Sequence, residues 1–199
     1  MAAPHEVSAT NHLPRPYRAP LEPLPGAAGG AVFLSASAET MTDITYRPEA
    51  PADAPAILAL TDRAFGPGRY AKAAERLRGG NAVLRELSIS AWRGEALLGS
   101  VRMWPVRVGE GEAVFLGPIA VEADERKHGI GQQLVEQACA AAAKAGWRCV
   151  FLVGDAPYFG RMGFLAAPGV TMPGPVDQRR VLWKPLADGA EAPVGPARA

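Results

Sequence analysis

Arg126-x-x-Gly129-x-Gly131 is the spacing in this chain that most directly implies chemistry. It follows the apolar run Leu116-Gly117-Pro118-Ile119-Ala120-Val121 and opens a long apolar-striped segment that ends at Gly146. A glycine-bearing loop at a helix start presents unpaired backbone N–H groups. It adds the positive end of the helix dipole, and together these make an anion site. Glycine suits the place because a Cβ would hold a phosphate oxygen away from the main chain. The pattern is not a Walker loop, which needs Gly-Lys-Ser/Thr. Nor is it a dinucleotide fingerprint, whose third glycine would stand where Leu134 is. A phosphate loop outside the two commonest nucleotide families is the expectation.

A second segment reads Gly154-Asp155-Ala156-Pro157-Tyr158-Phe159-Gly160-Arg161-Met162-Gly163-Phe164. The two segments together resemble the GNAT-type N-acetyltransferases. The first is similar to that family's Arg-x-x-Gly-x-Gly loop, and the second to its Tyr-x-Arg-x-Gly-Phe segment. The likeness spans roughly Ile44 to Leu186 and is nearest to bacterial N-acetyltransferases of undefined substrate. It implies acetyl-CoA as co-substrate and no metal. It also implies that Ile119, Ala120 and Val121 offer backbone groups to the pantetheine arm. The amides of Lys127, His128, Gly129, Ile130 and Gly131 would take the pyrophosphate, with Arg126 at the motif's first position. The Lys127 side chain could screen phosphate charge or simply be exposed, and the His128 side chain reads as a surface histidine.

Acetyl transfer from a thioester asks a protein to align coenzyme and amine, remove a proton from the ammonium, and help the thiolate leave. Counting back from the Gly163-Phe164 pair, the family's usual tyrosine position holds Phe159, which has no proton to donate. Tyr158 stands one residue earlier, about 100° away on a helix. Either Pro157 re-aims Tyr158 so that it serves as the acid, or water does, or catalysis has decayed; Tyr158 is the candidate catalytic residue. Glu86, Glu112 and Asp155 are carboxylates near strand ends, each a candidate base and each also readable as a turn or surface acid. Arg102 and Trp104 share one strand face and could line an acceptor pocket for a carboxylate-bearing amine, or a solvated face. Arg161 reads as structural. No cysteine sits where a covalent acyl intermediate would need one, so direct transfer to a primary amine of a small molecule or protein is expected. The rival reading is a non-catalytic acyl-CoA-binding sensor or interaction module on the same fold, kept open by Phe159.

The elements that must position these residues follow from periodicity. Ile44–Arg47 reads as a strand, then Ile57, Leu60, Ala64 and Phe65 recur at helical spacing until Gly66-Pro67-Gly68 interrupts them. Tyr70–Leu77 reads as a second short helix. Leu87–Trp92, Ala96–Val108 and Ala113–Val121 are joined by glycine turns and predict an antiparallel meander. The helix after Gly131 carries Leu134, Ala138, Ala141 and Ala145 on one stripe. Cys149–Val153 and Arg180–Trp183 complete the strands. The order β-α-α-β-β-β-α-β-α-β predicts an α+β fold, a mixed central sheet flanked by helices, which is also what the GNAT resemblance implies.

Of 199 residues, 48% are hydrophobic and 21% charged, with a formal net charge of +1. That is enough for a sizeable core and gives no footing for nucleic-acid or membrane-surface binding. No apolar stretch approaches the roughly 20 residues a membrane span needs. Two cysteines, Cys139 and Cys149, make no disulfide framework and point to buried thiols in a reducing cytoplasm. Residues 1–40 are rich in proline, alanine and glycine, lack periodicity, and are expected to be a disordered extension, or to precede a true start at Met41. Residues 41–188 form the expected GNAT domain, and 189–199 a flexible tail. Acetyl-CoA and an amine acceptor are the expected partners, with a homodimer left open.

Overall fold

The computed structural model describes residues 43–199, so the expected N-terminal extension lies outside the described residues. β1 (Thr45–Pro48) leads into α1 (Ala54–Phe65), and Asp53 closes the junction. Its carboxylate accepts from the Ala50 amide at 2.8 Å and from the Arg47 guanidinium at 2.6 and 2.9 Å. This satisfies donors that a helix start leaves free. After Gly66 the chain does not make the continuous helix expected over Tyr70–Leu77. It forms a 3-10 turn over Pro67–Ala71 and then α2 (Ala73–Arg76), separated by Lys72 in an extended conformation. Side chains anchor this stretch in place of helical hydrogen bonds: Ala73 and Leu77 are buried, and Arg69 is ion-paired to Asp62 at 2.9 Å.

β2 (Ile89–Arg93), β3 (Ala96–Val108) and β4 (Gly111–Val121) form the expected meander, each pair antiparallel. α3 (Ile130–Lys144) follows, then β5 (Cys149–Val153) and α4 (Ala156–Gly160). The short strands β6 (Leu165–Ala166) and β7 (Val170–Thr171) precede β8 (Val181–Pro185) and β9 (Gly195–Arg198). The strand order is β1-β2-β3-β4-β5-β8-β6, with β9 beside β3 and β7. It is a mixed sheet, because β4 and β5 run parallel while their other neighbours are antiparallel.

Both faces of the central strands are covered, so they read as near-continuous apolar runs. Val114, Leu116, Val150 and Leu152 pack toward α3, while Ala113, Phe115, Cys149 and Phe151 pack on the opposite face. The buried stripe of α3 comprises Ile130, Leu134, Val135, Ala138, Cys139 and Ala142. Ala145, expected on that stripe, is exposed, because the stripe turns at 3.6 residues through Ala142. No described helix is long and apolar enough to cross a membrane.

The C-terminal segment departs from expectation. In place of a flexible tail over 189–199, β9 pairs with the end of β3 through Arg107–Arg198 and Val108–Ala197, and with β7 through Val170–Gly195. Ala197 is buried. Gly195, at φ +118°, passes so close that a Cβ on it would lie 2.7 Å from the Gly109 Cα. Main-chain pairing and two facing glycines need no apolar periodicity, which is why composition misjudged this strand.

Candidate active site

β5 pairs with β4 only at Val114–Val150 and Phe115–Phe151. Beyond those residues the two strands part, and among the described residues the outer edge of β4 from Leu116 to Val121 has no strand partner. The gap opens a cleft of about 820 Å³. Ile119, Ala120, Val121, Arg126, Gly129 and Gly131 line one side of it, and Tyr158 lines the other. Of the residues expected to take pantetheine and pyrophosphate, Ile119, Ala120, Val121, Gly129 and Gly131 therefore line one cleft.

The loop geometry matches the anion-site argument. Gly129 has φ +75°, the left-handed conformation that only glycine adopts freely, and it turns the chain from a 3-10 segment into α3. Among the described residues no backbone carbonyl accepts from the amides of 129–132; the first amide of α3 with such a partner is Gln133, onto the Gly129 carbonyl at 3.1 Å. A Cβ on Gly131 would sit 2.9 Å from the Tyr158 hydroxyl and 3.7 Å from Val121 Cγ2. Strand, loop and tyrosine thus converge on one point, a cradle that a side chain would fill. Arg126 is exposed and its Nε donates to the Val121 carbonyl at 3.3 Å. Lys127 and His128 are not brought into the cleft: both are exposed, and His128 Nδ1 lies 3.2 Å from Glu125. The Ile130 side chain is fully buried beneath α3, against β3, so only its main chain faces the loop.

Tyr158 and Phe159 diverge because α4 is short and capped. The Asp155 carboxylate accepts from the Tyr158 amide at 3.0 Å, and Pro157 occupies the first turn. The Phe159 ring turns inward: it is 8% exposed, packs edge-on to Phe164 at 5.7 Å, and fills the space over Gly154. Tyr158, 41% exposed, faces the cleft, and its partial burial pushes the phenol above its ordinary value of 10.0.

The expected bases fare differently. Glu86 and Glu112 are exposed and lie outside the cleft, and Glu112 stands at the far end of β4. Asp155 lines the cleft, and one oxygen of its carboxylate caps α4. Neither cysteine lines the cleft; both are buried free thiols, and burial pushes Cys139 up to about 11.

Arg102 and Trp104 do not line the cleft. Arg102 donates through Nε and Nη2 to the buried Glu49 carboxylate, both at 2.8 Å. Trp104 Nε1 donates to the Gly117 carbonyl at 2.6 Å. Its partner lies in a bulge, because Val101 pairs with Ile119 while Met103 pairs with Leu116, leaving Gly117 and Pro118 opposite Arg102. The basic groups at this end of the cleft are Arg69 and Arg78, which sequence reasoning missed. Within the run Arg76-Leu77-Arg78 nothing distinguishes a desolvated arginine from a solvated one. Arg78 Nη2 and Nε lie 2.8 and 3.1 Å from a single Glu75 oxygen, and burial holds its guanidinium below the ordinary value. Arg161, expected to be structural, is exposed.

The acetyltransferase (GNAT) family matches residues 55–165. Over 120 residues the chain is 32% identical to the uncharacterized N-acetyltransferase YhbS of Escherichia coli K12, a match covering 59% of this chain and 71% of that protein. The fold is similar to the crystal structure of YhbS from E. coli in complex with CoA, with TM-score 0.68 and 28% identity, covering 78% of this chain and 88% of that one. It is also similar to a GNAT acetyltransferase from Brucella melitensis in complex with acetyl-CoA, with TM-score 0.61 and 29% identity, covering 79% of this chain and 96% of that one. With a glycine loop at the start of α3 and a cleft between parting parallel strands, this chain belongs to the GNAT acetyltransferase family.

Proposed function

We propose that the protein moves an acetyl group from acetyl-CoA directly to a primary amine. The observation that carries this reading is the meeting of Gly131, Val121 and the Tyr158 hydroxyl at one point of the cleft. Acetyl-CoA supplies the activated thioester. The unpaired amides of Gly129 to Gln132 hold its pyrophosphate, with Arg126 beside them, and the free edge of β4 over Ile119, Ala120 and Val121 holds the pantetheine arm. Tyr158 is the phenol on the cleft wall; with its side chain turned along the cleft from Gly131 toward the sulfur it donates a proton to the departing thiolate, and its raised pKa keeps that proton in place until then. One oxygen of each cleft carboxylate, Asp155 and Asp177, holds a backbone amide, which favours solvent as the acceptor of the ammonium proton. High thiol pKa values and burial argue against an acyl-cysteine step. Free cysteines and the use of acetyl-CoA favour the cytoplasm as its compartment.

Tyr158 in the cleft favours an enzyme over a non-catalytic acyl-CoA-binding module. Thiol release from acetyl-CoA across a panel of amines tests the proposal. Amine-dependent release above the hydrolytic background is expected; tight acetyl-CoA binding with no release for any amine would favour the binding module.

A further inference from the structure

The cleft has two ends. Gly131 abuts Val121 at the phosphate end, and the bulge at Gly117 marks the other, four strand residues or about 13 Å away. An acceptor must meet the coenzyme's reactive end at the bulge. What faces that place is Arg78, whose Nη1 lies 3.9 Å from the position a Cβ on Gly117 would take.

The Arg78 side chain is only 10% exposed, yet its charge is incompletely matched. Among the described residues its single acidic partner is Glu75, which Arg69 shares at 3.8 Å. Nη2 and Nε both point at that partner, and Nη1 has no hydrogen-bond acceptor among the described residues. A guanidinium mostly withdrawn from water, with one donor left open to the cleft, gains from a second anion. The surroundings carry the same sign. Arg69, Lys72, Arg78, Arg126 and Arg180 line the cleft against two carboxylates. Of those, Asp155 caps α4 and Asp177 holds Arg179 at 2.9 Å.

We infer that the acceptor is a small amine that also carries a carboxylate, and that Arg78 Nη1 at the Gly117 bulge anchors that carboxylate. This rests on the acetyltransferase reading and narrows its substrate class. Arg78 is a specificity residue here: it binds a remote group and leaves the chemistry to others. A planar, singly charged anion suits one open donor on a mostly buried side chain better than a bulky polyanion.

The test pairs amino acids from glycine to lysine with their carboxamides, in thiol-release assays on the full chain and on Arg78→Met. Charge-assisted hydrogen bonds of this kind correspond to about ten- to hundredfold. The acids should exceed the amides in kcat/KM by that factor, chiefly through KM, and Arg78→Met should bring the ratio near one without changing the KM for acetyl-CoA. Equal turnover of acids and amides by the unaltered chain would overturn the inference. So would an equal loss for both in Arg78→Met, which would make Arg78 a general polarising group. Calorimetry of the CoA-loaded protein with N-acetylglycine and N-acetylglycinamide separates the two readings. If no amine turns over but the acid still binds more tightly, dependent on Arg78, the anchor stands and acetyl transfer falls; if neither binds preferentially, the anchor falls. Arg78→Lys, which keeps the charge, should recover part of the preference and controls for misfolding of Arg78→Met.

Discussion

The Tyr158 hydroxyl stands 2.9 Å from the point that a Cβ on Gly131 would occupy. Two segments 27 positions apart in the chain, each suggestive alone, are thereby joined into one site. The contact also separates the roles of the two loop glycines. At Gly131 the constraint is space, whereas nothing lies within 4 Å of a Cβ on Gly129 and its constraint is the backbone angle of φ +75°.

Different substitutions should therefore be tolerated at the two glycines. Gly131→Ala pushes against Tyr158 and covers the amide cradle, and should weaken acetyl-CoA binding at least tenfold with little loss of stability. Gly129→Val forces a β-branched residue into the left-handed region and should weaken binding and stability together, by about 1–2 kcal/mol in stability. Gly129→Asn, which tolerates that region, should keep most of both. Calorimetry and thermal melts read the two effects separately, and identical tolerance at the two positions would contradict the assignment.

Tyr158→Phe should lower turnover by roughly ten- to ten-thousand-fold, with little change in acetyl-CoA affinity. Phe159→Tyr should not raise the rate. Its ring is buried against Gly154 and Phe164, so the new hydroxyl enters the core and should cost about 1–3 kcal/mol. Full activity in Tyr158→Phe would assign the acid to water.

The pH profile follows from the same groups. Burial raises the Tyr158 pKa above 10.0, so the phenol keeps its proton through neutral pH and loses it only on the alkaline side of that value. The descending limb of kcat/KM should lie above pH 10. The ascending limb should track the acceptor's own ammonium pKa, because the cleft carboxylates are engaged elsewhere. Exchanging the acceptor for one of lower pKa should move that limb by the same amount, and a limb fixed in the carboxylate range for every acceptor would require an enzymic base.

Arg102 and Glu49 should behave as one unit. Glu49 is almost wholly buried and takes both of its hydrogen bonds from a guanidinium that is itself 16% exposed. Arg102→Met alone leaves a buried carboxylate without that partner and should cost about 3–5 kcal/mol. Adding Glu49→Leu should return part of the loss, a coupling of about 1–3 kcal/mol by urea denaturation. Strict additivity would mean that the pair does not act together, and acceptor KM should hardly change in either variant.

Much of this protein was legible in its residues alone. Period-two alternation with glycine turns specified the β2-β3-β4 meander, the helical stripe specified α3, and Arg126-x-x-Gly129-x-Gly131 specified the glycine turn that opens it, because each is a local pattern that neighbouring residues carry by themselves. What the chain order could not express was which distant surfaces meet. Tyr158 and Phe159 both border the cleft, and which is the more open to it depends on how the Asp155 cap and the buried Phe159 ring set the roll of a five-residue helix. Whether Arg102 or Arg78 stands at the Gly117 end of the cleft depends on Glu49, 53 residues from Arg102, claiming one guanidinium while the other lies beside the bulge. β9 likewise needs only main-chain edges and two glycines brought together. Periodicity and spacing record what a segment buries, whereas tertiary packing alone decides which polar group finds a partner and which is left with a donor to spare.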